Sequence, residues 1–189
     1  VSQDPTIEEL ILSGGDPLML SDQQLKKFIQ QAEAIPHLQR LRIHTRLPVV
    51  IPQRITTTLI NILHSCRFSC AIVLHINHSQ ELDPILIKGL DSLRRAGITL
   101  LNQAVLLRDI NDNLETQIDL SKALFAAGIL PYYLHLLDKV TGAHHFNVSE
   151  KDALVLHQQL LLKLSGYLVP KLVKEESGKG SKTPLVLIS

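Results

Sequence analysis

The feature that most constrains this chain is a recurrence. Five short apolar runs, at residues 8–12, 38–44, 70–76, 98–101 and 129–136, are each followed by a polar or glycine-containing break and then a helical period. The interval is about 30 residues, the length of a βαβ unit. Apolar runs of this length bounded by turn residues read as buried strands, and their alternation with helices predicts an α/β fold with a parallel sheet.

The helices are marked at their ends. Ser21 with Gln24 three residues on is a capping box, and Leu25, Phe28, Ile29 and Ala32 then fall on one face before Pro36 ends the segment. A second helix is expected over residues 56–64. A third runs over 84–96, opened by Pro84 and stopped by Gly97. The fourth, over 114–127, stops at Gly128, and the last is capped by Ser149, with Asp152 in the place of the usual Glu or Gln, and reaches about residue 164. A closed eight-stranded barrel needs about 250 residues. The 189 residues present have room for only part of one.

Composition narrows the function. The chain is 45% hydrophobic and 20% charged, which suits a packed domain, and its net charge of +1 gives no reason to expect nucleic acid or an anionic membrane as a general partner. No apolar run reaches the length of a membrane span. Cys66 and Cys70 are the only cysteines. They mimic part of a cluster-binding motif but lack its further ligands, and they read as structural thiols.

The polar residues are informative by position. Asp16, Arg46, His78, Gln103 and Asp138 each fall just after an apolar run. In parallel α/β folds that is the end where ligands bind. Ser13-Gly14-Gly15-Asp16-Pro17 would let backbone approach a ligand closely. The Arg46 fork suits a phosphate or carboxylate, and Asp138 suits an ammonium group. Each has a plainer reading too: a strand-to-helix turn, an ion pair, a loop cap. His75, Asn77 and His78 lack a spaced carboxylate for a metal site, and His144 and His145 receive no role. Lys179 and Lys182 lie in a charged, glycine-containing tail, and composition does not choose between them. Either could form a Schiff base if a pocket held it and lowered its pKa.

Taken together these stretches resemble the lysine 2,3-aminomutase family. The resemblance is carried by Ser13-Gly14-Gly15-Asp16-Pro17, by Arg46 with Pro48-Val49-Val50 and Pro52-Gln53-Arg54-Ile55-Thr56, and by His75-Ile76-Asn77-His78. Asn102-Gln103-Ala104-Val105-Leu106-Leu107-Arg108, Pro131-Tyr132-Tyr133 with Asp138, and Ser165-Gly166-Tyr167 add to it. The tail, with Ser181-Lys182-Thr183-Pro184, is most similar to the branch that supplies β-lysine for modifying elongation factor P.

The resemblance implies a cytoplasmic isomerase of the radical S-adenosylmethionine type that also uses pyridoxal phosphate and converts α-lysine to β-lysine. Its fold would be a partial parallel (β/α) barrel truncated at its N-terminal side, over residues 1–165, with a C-terminal pyridoxal phosphate-lysine segment over 166–189. Ser13, Gly14, Gly15 and Asp16 match the S-adenosylmethionine segment; Arg46, His75 and Gln103 match cofactor-binding positions. Lys182 matches the Schiff-base lysine. Asp138 matches a carboxylate that receives the substrate ammonium, and Glu175 stands where the aminomutases carry a second, an Asp. The [4Fe–4S] cluster of the family is held by three cysteines upstream of the first motif, so no metal ligand is expected in this chain and the chain alone should not cleave S-adenosylmethionine. The implied partners are L-lysine and, functionally, elongation factor P with its lysyl-ligase; an oligomer is compatible with the sequence. The rival expectations are a barrel enzyme using pyridoxal or another phosphate ligand without a radical step, and a non-catalytic module of the elongation factor P modification machinery.

Overall fold

The computed structural model describes residues 1–138, 142–176, 178 and 182–186; Lys179 and Ser181 lie outside the described residues. Seven strands follow one another in chain order across one sheet: β1 (Glu9–Leu12), β2 (Arg40–Thr45), β3 (Ser69–His75), β4 (Thr99–Leu106), β5 (Leu130–Leu136), β6 (Lys171–Lys174) and β7 (Thr183–Pro184). The helices are α1 (Asp22–Glu33), α2 (Leu47–Val50), α3 (Thr57–Ser65), α4 (Pro84–Arg95), α5 (Leu114–Ala126) and α6 (Glu150–Lys163). Among the described residues no helix is long and apolar enough to cross a membrane.

The chain forms two compact units. The first comprises Val1–His75 and Asp83–Leu101, the second Ile76–Leu82 and Asn102–Ser189. In the first unit β1, β2 and β3 are parallel, with Leu10 beside Leu41 and Leu41 beside Cys70. Strand β2 alternates: Leu41, Ile43 and Thr45 are buried, whereas Arg42 and His44 occupy the other, half-buried face. One face therefore packs on helices and the other carries polar side chains. Helix α1 buries Leu25, Ile29 and Ala32, and its capping box is closed in both directions: the Ser21 N–H donates to Gln24 Oε1 at 3.0 Å and the Gln24 N–H to Ser21 Oγ at 3.3 Å.

In the second unit β5 pairs parallel with β6, and β6 pairs antiparallel with β7, with Lys174 opposite Thr183. The N-terminus of α6 is capped by Ser149, whose hydroxyl donates to Asp152 Oδ2 at 2.6 Å and accepts from the Asp152 N–H at 3.1 Å. The shorter aspartate thus reaches the Ser149 hydroxyl. Two expectations need correction. Among the described residues seven strands are present where five were expected, because the tail contributes β6 and β7. Gln103 lies inside β4, since the strand continues to Leu106. The polar Asn102 does not break it: its side chain pairs with the Ile76 backbone, accepting from the N–H and donating to the C=O, both at 2.9 Å.

Candidate functional site

In the first unit the exits of the parallel strands carry Ser13 to Asp16, Arg46 and His75. The chain leaves β1 through Ser13-Gly14-Gly15-Asp16, with φ of 58° at Gly15 and 39° at Asp16. A methyl group added at Gly14 or Gly15 would meet nothing within 4 Å. These glycines therefore face open space, and they border a cavity of about 430 Å³ lined also by Ser13, Met19, Leu20 and Phe28. Met19 is 69% exposed there.

Asp16 is committed to the protein itself. Its Oδ1 accepts from the Leu18 N–H at 3.1 Å and the Thr45 hydroxyl at 2.6 Å. Its Oδ2 accepts from the Arg46 and Leu47 N–H groups at 2.8 and 3.0 Å. The carboxylate ties the turn after β1 to the exit of β2 and caps the 3-10 turn Pro17–Met19. Arg54 braces the same turn. It donates to the carbonyls of Leu18 and Leu20, at 2.6 and 3.0 Å, and pairs with Asp22 at 2.7 Å. Sequence reading assigned Arg54 no role, because its partners lie more than thirty residues away. The polar face of β2, with Arg42 and His44, was also missed; the alternation Arg40-Leu41-Arg42-Ile43-His44-Thr45 is the signal that marks it.

The second unit holds the remaining candidates. A cavity of about 740 Å³ is lined by Asp138, Glu150, Lys174, Glu175 and Glu176 among others. Lys174 Nζ is 2.9 Å from Glu150 and 3.5 Å from Glu176. Lys182 Nζ is 2.5 Å from Glu175 Oε1 and 5.5 Å from the centre of the Tyr133 ring. The hydrogen bond and charge of Lys182 hold the Glu175 carboxyl below its usual range. Among the described residues, four carboxylates against two lysines make the cavity and its edge net negative, which suits a cationic ligand. Gln103 is half-buried on the face of β4 opposite Asn102 and Ala104.

Cys66 and Cys70 are free thiols in the first unit, and among the described residues no group of three His, Cys, Asp or Glu could hold a metal ion.

The fold is shared with solved structures. A radical SAM methyltransferase from Sphaerobacter thermophilus superimposes with a TM-score of 0.57, at 15% identity, covering 82% of this chain and 48% of that one. Streptococcus suis SuiB bound to precursor peptide SuiA gives 0.62 at 16% identity, covering 90% and 38%. The chain thus has the α/β, partial parallel (β/α) barrel fold of the radical SAM type. No family model matches. The sequence is 54% identical over 187 residues to L-lysine 2,3-aminomutase of Escherichia coli K12, covering 99% of this chain and 55% of that protein. It is 53% identical over 177 residues to the Haemophilus influenzae protein of the same name and 36% over 182 residues to that of Clostridium subterminale. Over nearly its whole length the chain is similar to L-lysine 2,3-aminomutases, and it spans about half the length of the curated relatives it matches.

Proposed function

We propose that this chain forms part of an L-lysine 2,3-aminomutase, an isomerase that uses S-adenosylmethionine and pyridoxal phosphate to convert α-lysine to β-lysine. The observation that carries the reading is identity of 54% sustained over 187 residues with a relative of that name. S-adenosylmethionine and pyridoxal phosphate, when bound, supply a hydrogen-abstracting radical and a carbonyl that holds the substrate nitrogen. In this reading a [4Fe–4S] cluster would supply the electron.

Two features support this reading, one in each unit. Gly14 and Gly15 leave the space that a Cβ would fill, so backbone can meet the amino-acid part of S-adenosylmethionine. Asp16 fixes that turn, and Ser13 can hydrogen-bond beside it. Lys182 brings a primary amine over the Tyr133 ring; it is the residue assigned to bind pyridoxal phosphate covalently. Arg46, His75 and Gln103 are assigned to hydrogen-bond cofactor groups. Asp138 and Glu175 are assigned to the side-chain ammonium of lysine. Glu175 accepts from Lys182 in the structure, so the substrate ammonium replaces one cation by another once the Lys182 nitrogen is engaged. A role in supplying β-lysine for elongation factor P and its lysyl-ligase is the physiological extension of this reading.

The test is direct. Pyridoxal phosphate-loaded protein treated with borohydride and mapped by peptide mass should carry the adduct on Lys182. An adduct on Lys179, or on neither lysine, would overturn the assignment.

A further inference from the structure

Cys66 and Cys70 belong to none of the residues assigned above, yet their sulfurs are only 3.3 Å apart. Cys66 caps the C-terminus of α3 and is half-buried; Cys70 is the second residue of β3 and is 7% exposed. The intervening turn is fixed by Arg67. Its side chain donates to the carbonyls of Glu33, Leu38 and Ile35 at 3.0, 2.6 and 2.5 Å, its N–H donates to Glu33 Oε1 at 2.9 Å, and its guanidinium lies 4.7 Å from the Phe68 ring centre. The two sulfurs are thus presented to each other by a braced corner. Bonding them requires an approach of about 1.3 Å, given an S–S bond of about 2.05 Å.

We infer that Cys66 and Cys70 are a dithiol modification site that closes to an intramolecular disulfide by exchange with a low-molecular-weight disulfide. The two sulfurs have distinct parts. Cys66 is the accessible one, and the Cys70 S–H donated to it favours its thiolate, lowering its pKa to about 7. The same hydrogen bond and burial push the Cys70 thiol up. Cys66 is therefore the attacking sulfur and Cys70 the resolving one. In the first step the Cys66 thiolate attacks one sulfur of the external disulfide. That S–S bond breaks, a mixed disulfide forms on Cys66, and the expelled thiolate takes up a proton. In the second step Cys70 gives up its proton to solvent, attacks Cys66 Sγ and expels the second thiol. The two cysteines lose two hydrogens, and one external disulfide becomes two thiols.

Trypsin provides the readout, because it cleaves after Arg67 and places the two cysteines on peptides 55–67 and 68–88. Reduced protein is exposed to oxidised glutathione under native conditions, quenched with acid, alkylated and digested. The expected product is the two peptides joined by a reducible link, lighter by two hydrogens than their sum, with loss of alkylation at both cysteines. A glutathione adduct that persists on Cys66 while Cys70 is alkylated, or full alkylation of both, would overturn the inference. Cys70→Ser should accumulate the mixed disulfide on Cys66, and Cys66→Ser should leave Cys70 unreacted. Equal reaction of Cys70 in Cys66→Ser would refute the assigned order. The rate should rise with pH through about 7, the value set for the Cys66 thiol.

Discussion

Asp16 shows how a residue whose type suggests ligand binding can be spent on architecture. An aspartate at a strand exit is a natural partner for a cation, but both oxygens here are occupied by chain donors from Leu18, Thr45, Arg46 and Leu47. Its positive φ adds a local cost that these bonds offset. Replacing it with Ala would strand the donors wherever water cannot reach them, at about 1–3 kcal/mol for an unsatisfied buried group. Asp16→Ala is accordingly expected to lose at least about 2 kcal/mol in urea denaturation. Asp16→Asn, which keeps one acceptor oxygen, should lose less. Equal stability of Asp16→Ala and the unaltered protein would show that the turn is held without it. None of this was legible in the sequence. The motif marked the turn, but the donors on Thr45, Arg46 and Leu47 lie some thirty residues on.

At the scale of elements, the second unit is organised by a buried amide. Asn111, 0% exposed in the segment between β4 and α5, donates through Nδ2 to the carbonyls of Asn77 and Val105, both at 2.9 Å, and accepts at Oδ1 from the Leu107 N–H at 2.7 Å. Gln117 of α5 donates to its carbonyl at 2.7 Å, and Asn77 Oδ1 accepts from the Val105 N–H at 2.9 Å. Asn111→Ala breaks three of these bonds and should cost roughly 2–4 kcal/mol. Asn111→Asp is a sharper probe, because at neutral pH it sets a carboxylate against two carbonyl oxygens. Burial and those carbonyls raise the folded pKa of the new carboxyl above its unfolded value of about 3.9. The stability of the protonated form is thus present at low pH and lost as pH rises through the folded value. Urea titrations should find Asn111→Asp closer to the unaltered protein near pH 4 than at pH 7; a gap that widens on acidification would contradict the bonding described. Sequence signals gave the helix caps, because Ser21 with Gln24 and Ser149 with Asp152 act within one turn. They underread β4, where Asn102 looks like an exit but is satisfied inside the sheet. They missed α2, whose four residues include Pro48, and gave no strand at β6.

For the molecule as a whole, the alternation of apolar runs and helices was enough to give the α/β fold, since burial repeats along the sequence at each strand. What repetition cannot reveal is which distant exits are joined. In the first unit the turn after β1 and the exit of β2 are one structural object, held by the Asp16 carboxylate, and Arg54 ties the same turn to the segment that follows α2. The proposed S-adenosylmethionine role of Ser13 to Gly15 then has a consequence beyond the contact residues. A ligand that binds only the folded state at about 100 times its dissociation constant stabilises it by about 2.7 kcal/mol, and local opening of the bound turn is suppressed with it. Because Asp16 couples the segments, hydrogen exchange of the protein with S-adenosylmethionine should slow at residues 13–20 and at residues 45–47 together. In Asp16→Asn, with the ligand still bound by equilibrium dialysis, protection should persist at 13–20 and weaken at 45–47. Bound ligand that protects neither segment would remove the assignment of this turn, and protection of 45–47 that Asp16→Asn leaves intact would remove the coupling.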